Sequence, residues 1–147
     1  MIAKVLVMNG PNLNVLGSRE PGIYGTTTLP EIEQEVETLF RRQQIEVEFY
    51  QSNHEGDLID KLQATASECD LILINGGALS HYGLALFDAL KGANRPVIEV
   101  HMSNIYARES WRSKSLFSAL SVGGIFGLGS MGYKLALKAA CQLFPRG

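Results

Sequence analysis

Apolar residues fall into five short runs rich in β-branched side chains, at 2–8, 45–50, 71–74, 97–100 and 120–126. Between them the spacing changes to a helical period. Leu29, Ile32, Val36, Leu39 and Phe40 recur on one helical face while Glu31, Glu33, Glu35 and Glu37 fill the other positions, which predicts an amphipathic first helix. Leu58, Ile59 and Leu62 mark a second, with Ser52 or Asn53 as its N-cap and Glu55 reinforcing the cap. Leu84 to Leu90 suggests a third helix and Leu135 to Leu143 a last one.

Strands that alternate with helices imply a parallel sheet covered on both faces. Five strands and about four helices fit an α/β, flavodoxin-like, doubly wound order, in which ligands gather beyond the carboxyl ends of the strands. The uncharged stretch from Ser115 to Tyr133 is too rich in glycine, at 123, 124, 127, 129 and 132, for a membrane helix. It reads as a buried strand followed by a turn, and no membrane partner is expected.

A chain of 147 residues with 46% hydrophobic content suits one domain, 1–147, and one site. Thirteen basic against fifteen acidic residues argue against phosphate neutralisation, so no nucleic-acid partner is expected. Cys69 and Cys141 stand outside any CxxC or Cys/His ligand spacing and read as reduced thiols, with no metal site. With no signal-peptide pattern at the start, the expected location is cytoplasmic.

The positions after the strands are Asn9 to Asn14, Gln51 to His54, Asn75 to His81 and His101 to Ser103. Turns alone do not require so many amides and imidazoles on one rim, which points to a small-molecule site. GLGSMG at 127–132 satisfies GxGxxG but follows the last strand and has no acidic residue about 20 positions on, so it reads as close strand-to-helix packing. A phosphorylated receiver domain would need carboxylates where Asn9 and Asn75 stand. A flavin or nucleotide binder would need a phosphate cradle, which Pro11 weakens.

Residues 17–26 form a glycine-rich loop that is either an exposed turn or a lid carrying Arg19 and Tyr24. Glu99 and His101 lie two apart on a strand, hence on one face, where a carboxylate orients the ring and favours its charged form. His81 either binds a ligand oxygen or caps a helix, and His54 reads as structural. Arg108 and Arg112, four apart, share a face if their segment is helical. A lone Asp88 reads by itself as an exposed carboxylate.

NGPNLNVLGSREPGIYG at 9–25, QSNHEGDLID at 51–60, His81, Asp88, VIEVHMSNIYARE at 97–109, Arg112 and GLGSMGY at 127–133 together resemble the type II 3-dehydroquinate dehydratases. The similarity runs in order over essentially the whole chain. It implies conversion of 3-dehydroquinate into 3-dehydroshikimate with no cofactor and no Schiff-base lysine. By resemblance Tyr24 is the base, His101 the acid, Arg19 the lid arginine and Asn12 the amide at the developing enolate, with Glu99 behind His101. Substrate-binding positions fall on Asn75, His81, Asp88, Met102, Ser103 and Arg112, with Arg108, Gly77 and Ala78 as further candidates.

The resemblance also implies a homo-dodecamer of four trimers, in which Asp88 reaches an adjacent subunit's site. Gly76, Leu79, Tyr82, Gly83 and Phe87 depart from the family's usual residues around the third strand's end. A free tyrosine is only about 0.1% ionised at neutral pH, so the expected base needs a cation beside it. Arg19 is the expected one, with Arg108 as a second. The alternative readings are a flavodoxin-like nucleotide or flavin binder and a catalytically inactive assembly module.

Overall fold

A computed structural model describes residues 2–145. Five strands, β1 (Lys4–Asn9), β2 (Glu46–Gln51), β3 (Leu71–Asn75), β4 (Val97–His101) and β5 (Gly123–Phe126), form one parallel sheet in the order β2-β1-β3-β4-β5. This is the doubly wound α/β order expected from the sequence. The helices are α1 (Pro21–Tyr24), α2 (Leu29–Arg41), α3 (Glu55–Thr65), α4 (Leu79–Tyr82), α5 (Leu84–Ala93) and α6 (Met131–Leu143).

Strand alternation divides the core in two. Val5, Val7, Leu71 and Leu73 face the layer of α2 and α6, where they meet Ile32, Val36, Phe40 and Leu137. Leu6, Met8, Ile72 and Ile74 face the layer of α3 and α5, where they meet Leu58, Leu62, Leu86 and Leu90. Because all five strands run parallel, their carboxyl-end residues are delivered to one rim.

The structure corrects several local expectations. Neither Ser52 nor Asn53 caps α3: His54 holds the N-cap position without a side-chain bond. Ser52 Oγ instead accepts from the His54 N–H and donates to Asp57, at 3.0 and 2.8 Å. Glu55 does not reinforce that cap either, because its carboxylate accepts the Leu86 N–H at 3.1 Å and so satisfies an orphan donor at the start of α5. A capping box does form, at Thr28 and Glu31 of α2.

The fifth strand is shorter and more exposed than expected. Residues 117–119 form a 3₁₀ turn and pairing starts at Gly123, because β5 is an edge strand whose first two residues lack side chains to bury. In GLGSMG, Gly127 and Gly129 adopt positive φ, and a Cβ on Gly132 would sit 3.2 Å from Val100 Cγ1. Close packing of α6 on β4 therefore accounts for Gly132, and the left-handed turn backbone for Gly127 and Gly129. Among the described residues no helix is long and apolar enough to cross a membrane.

Candidate active site

The loops after β1, β3 and β4 surround one cavity lined by Asn12, Arg19, Tyr24, Asn75, Gly77, Ala78, His81, His101, Met102, Ser103, Arg108 and Arg112. Pro11, Leu13 and Ile105 complete its wall, and none of the three was expected to line the site. Gly10 lets the first two loops touch, since a Cβ there would stand 2.2 Å from the Gly76 carbonyl oxygen. Asn12 takes a left-handed backbone, φ 70°, and its N–H is held by Asn53 Oδ1 at 2.9 Å. Gln51 donates to both the Gly10 carbonyl and Asn53, each at 3.2 Å. The polar residues after β2 thus brace the Asn12 loop and do not enter the cavity.

Tyr24 ends the single turn of α1. That turn begins after Glu20, a non-glycine residue at φ 37°, so the loop carries local backbone strain. The Tyr24 hydroxyl accepts from Arg108 Nη1 at 2.7 Å, and the same nitrogen donates to Ser103 Oγ at 3.0 Å. Arg19 lies against the ring, its Cζ 4.7 Å from the centroid, with Arg108 Cζ at 5.2 Å. Arg108, expected only as the second cation, is the one that touches the phenol oxygen.

Glu99 and His101 share a face of β4 and are both more than nine-tenths buried. His101 Nε2 lies 3.0 Å from Glu99 Oε2, although the ring N–H is not well aligned on the oxygen. Burial alone would raise the Glu99 carboxyl, but His101, Ser115 and Ser118 hold it below its ordinary value. His81 packs 6.2 Å from the His101 ring, nearly parallel to it. Its Nδ1 donates to the Lys114 carbonyl at 2.8 Å, which leaves Nε2 as an acceptor. Burial lowers the His81 pKa, outweighing that bond, with the charges of His101 and Arg112 acting in the same direction.

Asn75 is oriented from beneath. Its Nδ2 donates to the hydroxyl of Tyr133 at 2.8 Å, that hydroxyl donates to Asn9 Oδ1 at 2.6 Å, and Asn75 Oδ1 accepts the Gly77 N–H at 3.3 Å. Burial pushes the Tyr133 phenol far up, so it remains protonated and can donate. Arg112 is braced by Glu109 at 2.5 Å and by the Trp111 ring at 4.1 Å. Arg108 and Arg112 do not sit on one helix, because two separate 3₁₀ turns carry this segment, yet both reach the cavity.

The model of the family described as dehydroquinase class II matches residues 3–141. The chain belongs to the class II dehydroquinase family. It is 49% identical to a 3-dehydroquinate dehydratase of Endomicrobium trichonymphae over 95% of this chain and 98% of that one. It is 50% identical to one of Pseudomonas savastanoi pv. phaseolicola over 96% and 95%. The crystal structure of a type II dehydroquinase from Butyrivibrio crossotus superposes with a TM-score of 0.91 at 43% identity, covering 94% of this chain and 97% of that one.

Positions 76, 79, 82, 83 and 87 all lie outside the cavity lining. Leu79 is in the core, Tyr82 is largely exposed and Phe87 packs beside the α3–α5 core. Gly76 fits under Phe117 and Ser80, either of which would stand 2.6 Å from a Cβ. Asp88 is not brought to the cavity of its own chain; it lies exposed on α5 beside a groove shared with α3.

Proposed function

We propose that this cavity dehydrates 3-dehydroquinate to 3-dehydroshikimate by anti elimination through an enolate, with Tyr24 as base and His101 as acid. The activity is that of a 3-dehydroquinate dehydratase, a carbon–oxygen hydro-lyase, as the closely similar curated relatives are named. The observation that carries the mechanism is the 2.7 Å contact from Arg108 to the Tyr24 hydroxyl in a cavity that also contains His101.

Tyr24, with Arg108 on its hydroxyl and Arg19 against its ring, takes the proton from the carbon next to the ketone. Negative charge then builds on the ketone oxygen, and Asn12, directly or through water, stabilises it as it forms. His101, backed by Glu99, gives a ring proton to the departing hydroxyl, so that water leaves. With His101 Nε2 turned to Glu99, Nδ1 is the donating atom. His81 Nε2 accepts from a substrate hydroxyl, while Asn75, Ser103, the Met102 backbone and Arg112 hold the ring's remaining oxygens. Residues 17–26 act as a lid on a single domain spanning 1–147.

The proposal extends to a cytoplasmic homo-dodecamer in which exposed Asp88 serves an adjacent subunit's site, with the reaction used in the shikimate pathway or in quinate catabolism. The test mixes protein with 3-dehydroquinate and follows the ultraviolet absorbance of the conjugated enone product. Tyr24→Phe keeps the ring and removes the base, so turnover falls by about 10²–10⁴-fold with the fold unchanged. Turnover near that of the parent protein would refute the assignment.

A further inference from the structure

We propose that Ser115 and Ser118 are positioning residues for the acid half of the reaction, holding the Glu99 carboxylate oriented and anionic behind His101. The inference rests on the reading of His101 as proton donor. Glu99 is 5% exposed, and a carboxylate so buried stays ionised only if its oxygens are occupied by donors. The Ser118 hydroxyl donates to Oε1 at 2.6 Å, and the Ser115 hydroxyl donates to Oε2, the oxygen that His101 Nε2 also approaches. Both carboxylate oxygens are therefore held before the imidazole is considered.

One strap supplies these contacts. Phe117, fully buried, anchors it; the Leu116 N–H reaches the Ser80 carbonyl at 2.7 Å; and Ser115 Oγ accepts the Phe117 N–H at 3.2 Å. The same strap carries the Lys114 carbonyl that fixes Nδ1 of His81. Residues 114–118 thus set both stacked imidazoles, His81 directly and His101 through Glu99. Glu99 and Arg112 act on this pair, and Arg19, Tyr24 and Arg108 line the same cavity. The fixed Glu99 carboxylate faces His101 Nε2, so Nδ1 faces the cavity and the ring is held in one orientation.

The decisive variant is Ser118→Ala, because Ser118 is exposed and its loss opens no core cavity. Ser118→Thr retains the hydroxyl, with room for the methyl in a cavity of about 230 Å³ that Ser118 borders. Removing a hydrogen bond to a charged group lowers kcat about tenfold with KM within about twofold. The acid limb of the kcat profile moves to higher pH, because Glu99 then takes a proton more readily. Ser118→Thr restores both, and Ser115→Ala reproduces the Ser118→Ala effects.

The ¹⁵N spectrum of the His101 ring in substrate-free protein provides a readout independent of turnover, and in Ser118→Ala its Nε2 resonance shifts. An unmoved limb together with an unmoved ring spectrum in both alanine variants overturns the proposal. Failure of the parent protein to dehydrate 3-dehydroquinate would instead overturn the functional reading, while the ring spectrum would still decide whether the serines set the imidazole.

Discussion

Replacing Tyr133 with phenylalanine removes one oxygen from the middle of the molecule and keeps the ring that fills the α6 side of the core. In the parent protein that oxygen accepts from Asn75 at 2.8 Å and donates to Asn9 at 2.6 Å, and all three residues are at most 3% exposed. The variant strands one buried amide donor and one buried amide acceptor, each costing about 1–3 kcal/mol, so about 3 kcal/mol is expected for the pair. For a chain of this size that lowers Tm by roughly 6–12 °C. Denaturant unfolding at fixed protein concentration should show a lower midpoint with an unchanged slope. Because Asn75 lines the cavity, KM should rise more than kcat falls. A loss below about 0.5 kcal/mol would mean that Asn75 and Asn9 re-pair directly, and the argument that Tyr133 orients the site would fail.

Arg108→Gln removes a charge-assisted bond to the Tyr24 hydroxyl, and kcat should fall about 10–100-fold in the enone assay. An unchanged rate would leave Arg19 as the tuning cation. Arg19→Lys keeps the charge but loses the flat guanidinium stacked on the ring, and a clear turnover defect is expected. For His81, burial depresses the folded value below the ordinary 6.5, so the unfolded chain binds the proton first. Its contribution is therefore present above about 6.5 and is lost as pH falls from there toward the folded value. His81→Gln should flatten that part of the denaturant-midpoint profile, and an unchanged slope would refute the buried neutral ring. Gly10→Ala forces a Cβ against the Gly76 backbone, and a loss of about 3 kcal/mol or more should appear as a lower thermal midpoint.

What the sequence by itself determined is everything governed by short-range periodicity. Leu29, Ile32, Val36 and Phe40 could be seen to share a helical face, and Glu99 and His101 a strand face, because backbone geometry sets those spacings. The parallel order followed from strands alternating with helices, and the segments at 17–26 and 97–101 stood out by resemblance to one family. Tertiary structure alone decided which groups meet across long loops. Arg108 is 84 positions from Tyr24 and Tyr133 is 58 from Asn75, and no periodicity relates such pairs. Ser115 and Ser118 read as part of an uncharged, glycine-rich stretch until the chain turned them onto Glu99. Asn53 and Glu55 carry ordinary capping chemistry, yet they serve Asn12 and Leu86, because a side chain bonds the orphan donor that packing brings within reach, whatever its distance along the chain.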